Sequence, residues 1–393
     1  MQTFEFCGVG RIIFGRGKFA VAGELAAGLG RAALVIYNGN NEYLIEQLTK
    51  SGIAIYRRRQ RGEPTVADVD QAVEEARRQN CDSVIGLGGG SAIDAAKAVA
   101  GLLTNGGSAI DYMEVVGMGK KIARPAAPWM AIPTTAGTGA EATRNAVIGL
   151  PEKRFKASIR SELLLPRVAL VDPCLGVTVP PAVTAGSGMD ALCQLIESYT
   201  STGASPMTDA LALQGIPLAA QCLPRAYQNG ADLDAREDMA LAALLSGITL
   251  TNAGLGAVHG FAAALGANFP IPHGIVCAAL LPHIINANIQ ALRAQDPTDA
   301  SRGLTRYATI GRKLPGFDSV DDVEAIDACV QFTSNLSCEL NIPPLKQFGI
   351  QFGHLAEMVS LSRKASSMRF NPVVLSDASL TAALGLAIEG NPE

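Results

Sequence analysis

The sequence is poor in aromatic residues, with one Trp, seven Tyr and twelve Phe in 393 positions, and only 17% of it is Asp, Glu, Lys or Arg. A net charge of −4 leaves no basic surplus, which argues against a nucleic-acid partner or an anionic membrane surface. Eight cysteines (Cys7, Cys81, Cys174, Cys193, Cys222, Cys277, Cys329 and Cys338) form no CxxC pair and no regular spacing. They are expected to be buried thiols of a reducing compartment, not a disulfide framework. The opening MQTFEF lacks a basic n-region and an apolar h-region, so no signal peptide is expected. Apolar runs such as residues 278–281 are cut by Pro, His, Asn or Gly short of a membrane span. These absences point to a cytoplasmic soluble protein, and no internal repeat or low-complexity tract appears.

What is present suits an enzyme. Hydrophobic residues make up 48% of the chain and glycines number 41, enough for two substantial cores packed from Ala, Leu, Val and Gly. The first half alternates strand and helix signals. Residues 32–37 (AALVIY), 53–56, 82–87 and 129–132 read as strands, and 42–51, 65–79 and 91–103 as helices. That alternation predicts a parallel sheet with right-handed crossovers. Beyond residue 178 only helices are expected, over 182–200, 207–227, 235–252, 258–266, 274–292, 321–340 and 381–389. The expected division is an α/β dinucleotide-binding domain over 1–177 and an all-helical metal and substrate domain over 178–393, with Pro180-Pro181 close to the joint.

Two loops in the first half suit phosphate. The segment from Gly86 to Lys97 (GLGGGSAIDAAK) follows a strand and opens a helix, where backbone N–H groups and the helix dipole favour an anion. Ser91 reads as its N-cap. The loop from Pro133 to Glu141 (PTTAGTGAE) again follows a strand, and two such loops after neighbouring strands suggest one dinucleotide lying across the strand ends. Neither the segment from Gly86 to Lys97 nor the first strand's turn, Asn38-Gly39-Asn40-Asn41, carries the usual GxGxxG fingerprint.

The second half holds the reactive side chains. Three of the four histidines fall within 25 residues, and His259 and His273 both stand beside glycine. Upstream, Asp190 and Gln194 are spaced i, i+4, which puts a carboxylate and an amide on one helix face. A carboxylate and two imidazoles are O and N ligands for a divalent metal such as Fe²⁺ or Zn²⁺. Glu197 lies on the same face as Asp190, as a support or a structural residue. Cys193 and Cys277 read as small buried hydrophobes, His283 as a core or interface residue, and His354 as a surface residue.

GGGSAIDAAK, PTTAGTGAEATR, the SGMDAL helix, and NAGLGAVHG followed by PHG together resemble the iron-containing (group III) alcohol dehydrogenase family. The resemblance runs from about residue 11 to 282. It implies a Rossmann-like N-terminal domain binding NAD or NADP and an all-α metal domain, the architecture shared with dehydroquinate synthase. It also implies hydride transfer between nicotinamide and a small alcohol or aldehyde, and a homodimer or larger homo-oligomer. By the same match Gly88, Gly89, Gly90, Ser91, Asp94, Thr134, Thr135, Thr138 and Lys156 contact the cofactor. Asp190, the residue at 194, His259 and His273 hold the metal, and Asp190, His259 and His273 carry the catalysis.

The sequence departs from that pattern three times. Where the family usually has a metal-binding His, this chain has Gln194, a neutral and weaker donor, so Fe²⁺ or Zn²⁺ is expected to be weakly held. Four residues after His259, where many members carry another His, stands Ala263, so water, a ribose hydroxyl or substrate must move the alcohol proton. At the end of the first strand, Asn38 replaces an acid that pairs with the ribose and repels a 2′-phosphate. The Arg57-Arg58-Arg59-Gln60-Arg61 run follows the next strand, either as a solvated edge or as a source of a cation for NADP. The expected function is an NAD(P)-dependent alcohol dehydrogenase or aldehyde reductase. The alternatives are a metal-independent reductase resembling maleylacetate reductase and a catalytically inactive nucleotide-binding protein.

Overall fold

The computed structural model describes residues 3–50, 52–295 and 297–390, with the side chains of 297–300 set aside. Ser51, the last residue of the helix expected over 42–51, lies outside the described residues, as do Met1 and Gln2 of the opening segment. Two compact units emerge. One comprises residues 6–135 and 139–179; the other comprises 180–390 with residues 3–5 and the three-residue stretch Ala136–Thr138.

The α/β unit is built as β1 (Arg11–Phe14), α1 (Ala22–Ala27), β2 (Ala32–Tyr37), α2 (Glu42–Thr49), β3 (Ala54–Arg59), α3 (Val66–Arg78), β4 (Ser83–Gly88), α4 (Gly90–Asn105), α5 (Ala109–Tyr112), β5 (Trp129–Pro133), β6 (Asn145–Leu150), β7 (Phe155–Arg160) and β8 (Val168–Val171). Six strands form a fully parallel sheet in the order β1-β8-β5-β4-β2-β3, while β6 and β7 form a separate antiparallel hairpin. Buried side chains alternate across the sheet: Leu34, Ile36 and Val84 enter one core, and Ala33, Val35, Tyr37, Ile85 and Leu87 the other. A sheet covered on both faces is why these strands read as continuous apolar runs. The chain direction across the sheet reverses between β2 and β4, and ligands of such sheets bind at the strand ends beside that reversal.

The sequence reading missed β1, β8 and the hairpin. The first two are only four residues long, and β6 and β7 alternate buried with partly exposed residues because one hairpin face is open. It also placed the N-cap of α4 two residues late. The N-cap is Gly89, and Ser91 is the second helical residue, because β4 runs through to Gly88 and the helix opens at once. No side chain caps α4, so the N–H groups of Gly90 and Ser91 stay open, while that of Ala92 donates to the Gly89 carbonyl (3.0 Å).

The helical unit contains α6 (Pro181–Thr200), α7 (Pro206–Gln228), α8 (Leu233–Ala253), α9 (Ala257–Asn268), α10 (His273–Arg293), α11 (Pro297–Gly311), α12 (Asp322–Glu339), α13 (Leu355–Ser362) and α14 (Asp377–Glu389), around one large aliphatic core. Two helices, α11 and α13, were not anticipated. Pro282 and His283 lie inside α10, as the helix expected over 274–292 requires, but the expectation of a run too short for a membrane span is corrected: α10 is long and apolar enough to cross a membrane by length and composition alone. Most of that helix is buried among its neighbours, which marks it as a core helix.

Lys97 ties the α/β unit together below its loops. It is fully buried, and its ammonium donates to the Ala140 carbonyl (2.9 Å), Thr143 Oγ1 (2.6 Å) and the Asn145 carbonyl (2.7 Å), with Asp94 Oδ1 3.6 Å away. Beside it, burial lifts the Glu141 carboxyl from 4.5 to about 7, against the smaller opposing pulls of its own backbone N–H and of Lys97. Between those values the folded state holds a proton that the unfolded chain has released. Stability therefore falls as pH rises through that window, and the full penalty is present above it. Glu141→Gln is expected to stabilise the protein above pH 7 by at most about 3 kcal/mol. Denaturant titrations should show that gain fading towards pH 4.5; a gain independent of pH would contradict a protonation origin.

Candidate active site and metal centre

Helix α6 presents Asp190, Cys193, Gln194 and Glu197 at i, i+3, i+4 and i+7, all on one buried face. Two other helices bring the imidazoles to that face. Helix α10 starts at His273, directly after Pro272, and its second residue, Gly274, lies against the backbone of Gly186 one turn before Asp190. A Cβ at Gly274 would meet the Gly186 carbonyl oxygen at 2.2 Å, so no larger residue fits without moving the helix. Helix α9 follows α8 after a bend of 100°. Its N-terminus is capped by side chains from elsewhere: the Val258 N–H donates to Glu197 Oε1 (2.8 Å) and the Ala257 N–H to Asn371 Oδ1 (3.1 Å). His259 therefore enters the site from the first turn of α9.

The result is a tight cluster. Asp190 Oδ1 lies 3.2 Å from His259 Nε2 and 3.7 Å from His273 Nε2. Glu197 Oε2 lies 2.6 Å from His259 Nδ1 and turns Nε2 towards Asp190; with a metal bound, Nδ1 would keep its proton on Glu197 and Nε2 would be the ligating nitrogen. Asp190 and His259 are buried, whereas the His273 side chain is 39% exposed and forms the open side of the cluster. Burial alone would raise the Asp190 carboxyl, but His273 and His259 beside it hold it below the ordinary carboxylate value. Burial works against protonation of His273 too, yet Cys277 and Asp190 push it up to about 9.

These distances suit a metal ion. Nitrogen and oxygen donors bound at about 2.0–2.2 Å around a tetrahedral ion stand roughly 3.3–3.6 Å apart. The Asp190–His259 and Asp190–His273 separations match that spacing to within a few tenths of an ångström. Gln194 is placed differently from a ligand. Its Nε2 donates to Asp190 Oδ2 (3.1 Å) and its Oε1 accepts from Ser246 Oγ (3.0 Å). The reverse orientation would press the amide oxygen against a carboxylate oxygen, two acceptors with no proton between them.

In the α/β unit the structure brings Asn38, Gly88, Gly89, Thr134 and Thr135 together at the ends of β2, β4 and β5. Asn38 Oδ1 accepts from the Gly89 N–H (2.9 Å), and the Thr134 N–H donates to the Gly88 carbonyl (2.9 Å). Gly88 has φ +145°, and a Cβ there would meet Asn38 Oδ1 at 2.1 Å, so only glycine serves. Gly90 and Ser91 follow as the first two residues of α4. Asp94 Oδ2 accepts from the Val147 N–H (3.1 Å), and its Oδ1 has no hydrogen-bond partner. Lys156 is on β7, ion-paired with Glu63, and Thr138 belongs to the helical unit.

Ala263 is on α9, one turn beyond His259. His283 is half-buried, and burial pulls it down to about 4, which keeps it neutral. His354 is not a plain surface residue: its ring packs edge-on against Phe269 at 5.1 Å, and its Nδ1 accepts from the Gln351 N–H (3.0 Å).

A parallel-sheet unit with an open helix N-terminus suits an anion, and a helical unit with clustered Asp and His side chains could hold a divalent metal. The iron-containing alcohol dehydrogenase family matches residues 10–173, and its C-terminal domain matches residues 184–387. The chain belongs to this family. It is 45% identical over 243 residues to alcohol dehydrogenase 4 of Saccharomyces cerevisiae, a match that spans 62% of the length of that relative. A solved 1,3-propanediol oxidoreductase superposes with a TM-score of 0.89 at 30% identity, covering 98% of this chain and 99% of the other. Sulfoacetaldehyde reductase from Bifidobacterium kashiwanohense, solved in complex with NAD⁺, gives 0.84 at 28% identity, covering 98% of each chain.

Because Glu197 orients the His259 ring, Glu197→Gln is expected to lower divalent-metal affinity about 10–100-fold. Chelator competition measures this, and an unchanged affinity would show that Glu197 merely caps α9.

Proposed function

We propose that this chain is an NAD(P)-dependent oxidoreductase that interconverts a small alcohol and its aldehyde, with a divalent metal held by Asp190, His259 and His273. The observation that carries the reading is the convergence of those three ligand atoms, with His259 oriented by the Glu197 contact. Family membership and the NAD⁺ complex of one relative support the cofactor class. A divalent ion at the cluster supplies Lewis acidity that polarises a carbonyl, an effect worth several kcal/mol. Neither a metal-independent reductase nor a catalytically silent protein has an observation in its favour.

The residues divide the work. The open N–H groups at the start of α4, from Gly90 and Ser91, bind the pyrophosphate, and Gly88 and Gly89 allow it to approach the backbone. Asn38 braces that loop from the end of β2. Thr134 and Thr135 flank it, and Asp94 Oδ1, Thr138 and Lys156 remain candidate cofactor contacts. His273 marks the solvent-open side from which substrate reaches the ligands. With Ala263 in place of an imidazole, the alcohol proton leaves through water or a ribose hydroxyl.

NADP acceptance follows from charge at the end of β2. Asn38 is neutral, and Arg59, at the end of the neighbouring strand, reaches the Gly39 carbonyl (3.3 Å) while lying 3.4 Å from Glu42 Oε1, both side chains half-exposed. Asn38→Asp keeps an oxygen for the Gly89 N–H and adds only a charge. It is therefore expected to lower the ratio of kcat/KM for NADPH over NADH by on the order of tenfold. A ratio that stays put would move discrimination elsewhere.

The direct test is hydride transfer from NADH and NADPH to a panel of short aldehydes, followed as loss of nicotinamide absorbance. Wild type should turn over at least one of them. His259→Ala and His273→Ala should lose most activity while still binding NAD(P)H, whereas Gly89→Val should lose cofactor binding itself. No turnover of any aldehyde, or full activity with both histidines replaced, would overturn the proposal.

A further inference from the structure

We propose that Cys277 is a fourth protein ligand of the metal ion, filling the place that Gln194 gives up. The inference rests on the three-residue site proposed above and adds a residue that the family pattern does not supply. Cys277 lies one turn after His273 on α10, so the close approach of α10 to α6 delivers both side chains to the same point. Its sulfur is 3.8 Å from His259 Nε2 and 3.7 Å from His273 Nε2. Sulfur at about 2.3 Å and nitrogen at about 2.05 Å from one tetrahedral ion would stand roughly 3.6 Å apart. The ligand atoms of Asp190, His259, His273 and Cys277 all lie within 4.8 Å of one another.

The neighbouring thiol provides the contrast. Cys193 Sγ is 3.9 Å from His259 Nδ1, the nitrogen already engaged by Glu197, and so stands on the side of the ring away from the ligating nitrogen. Gln194 is excluded by its own hydrogen bonds, with its oxygen on Ser246 and its nitrogen on Asp190 Oδ2. Its contribution is to hold the second carboxylate oxygen so that Oδ1 faces the imidazoles.

The chemical consequences are definite. Binding converts the Cys277 thiol to a thiolate and releases its proton to solvent. Thiolate and carboxylate together balance the charge of a divalent ion inside a buried site, which two imidazoles and an amide could not do. A thiolate also shifts preference towards softer, thiophilic ions such as Zn²⁺ and Co²⁺ and away from Mg²⁺ and Mn²⁺.

The test uses the full-length protein, stripped with chelator and reloaded with Co²⁺. Wild type should show a near-ultraviolet thiolate-to-cobalt charge-transfer band. Cys277→Ala and Cys277→Ser should lose that band, and Cys193→Ala should keep it. The two Cys277 variants should also lose Zn²⁺ affinity by at least the roughly 10–100-fold typical of removing an outer-sphere partner. Alkylation of Cys277, mapped by mass spectrometry, should slow when Zn²⁺ is bound. A stoichiometric Co²⁺ complex without the band, or a band that survives in Cys277→Ala, overturns the assignment and leaves the three-residue site standing. Wild type that retains no more Co²⁺ or Zn²⁺ than His259→Ala overturns both.

Discussion

The site depends on one steric contact, the meeting of α6 and α10 through Gly186 and Gly274. Because neither residue carries a side chain, the two backbones approach to a distance at which a single added Cβ would sit 2.2 Å from a carbonyl oxygen. One turn along each helix from that contact stand Asp190 on α6 and Cys277 on α10, with His273 beside Gly274 at the helix start. Close packing of this kind admits no gradual adjustment, so the ligand separations are set by backbone geometry more than by side-chain choice. The third direction comes from α9, whose N-terminus is capped by Glu197 of α6, and the same carboxylate then holds the His259 ring. A single acidic residue thereby fixes both a helix entry and the orientation of an imidazole.

The α/β unit follows the same economy with different means. Positive φ at Gly88 and the Asn38 amide define the turn from β4 into α4, and the absence of a side-chain cap leaves that helix N-terminus open to an anion. Beneath it, Lys97 spends its donors on two carbonyls and a hydroxyl from the segment after β5, which anchors the second loop to the helix that begins the first. A fully buried ammonium is tolerated because it is saturated with acceptors and faces Asp94.

Much of this was legible in the residues. The run AALVIY and the glycine-rich turn before α4 carried the parallel sheet and its helix start, and Asp190, His259 and His273 are the side chains that the structure clusters. What escaped had physical reasons. The short strands β1 and β8 hold too few residues for a period, and the hairpin of β6 and β7 has one half-open face. Pro282 lies inside α10, as the helix expected over 274–292 requires, because a helix with extensive tertiary packing can forgo one hydrogen bond. Cys277 is buried in the aliphatic core, as expected of it, and its i, i+4 relation to His273 mirrors that of Gln194 to Asp190. The sequence placed Gln194 on the correct helix face, but only coordinates reveal that Ser246 claims its oxygen.

The central claim is that Asp190, His259 and His273 hold a divalent metal on which aldehyde reduction depends. The most direct measurement is elemental analysis of protein purified without chelator and without oxygen, paired with NAD(P)H-dependent activity before stripping, after stripping and after reloading. The account predicts close to one Fe²⁺ or Zn²⁺ per chain after reloading, with activity falling as the ion is removed and returning in proportion as it is restored. Full activity in rigorously metal-free protein would contradict it.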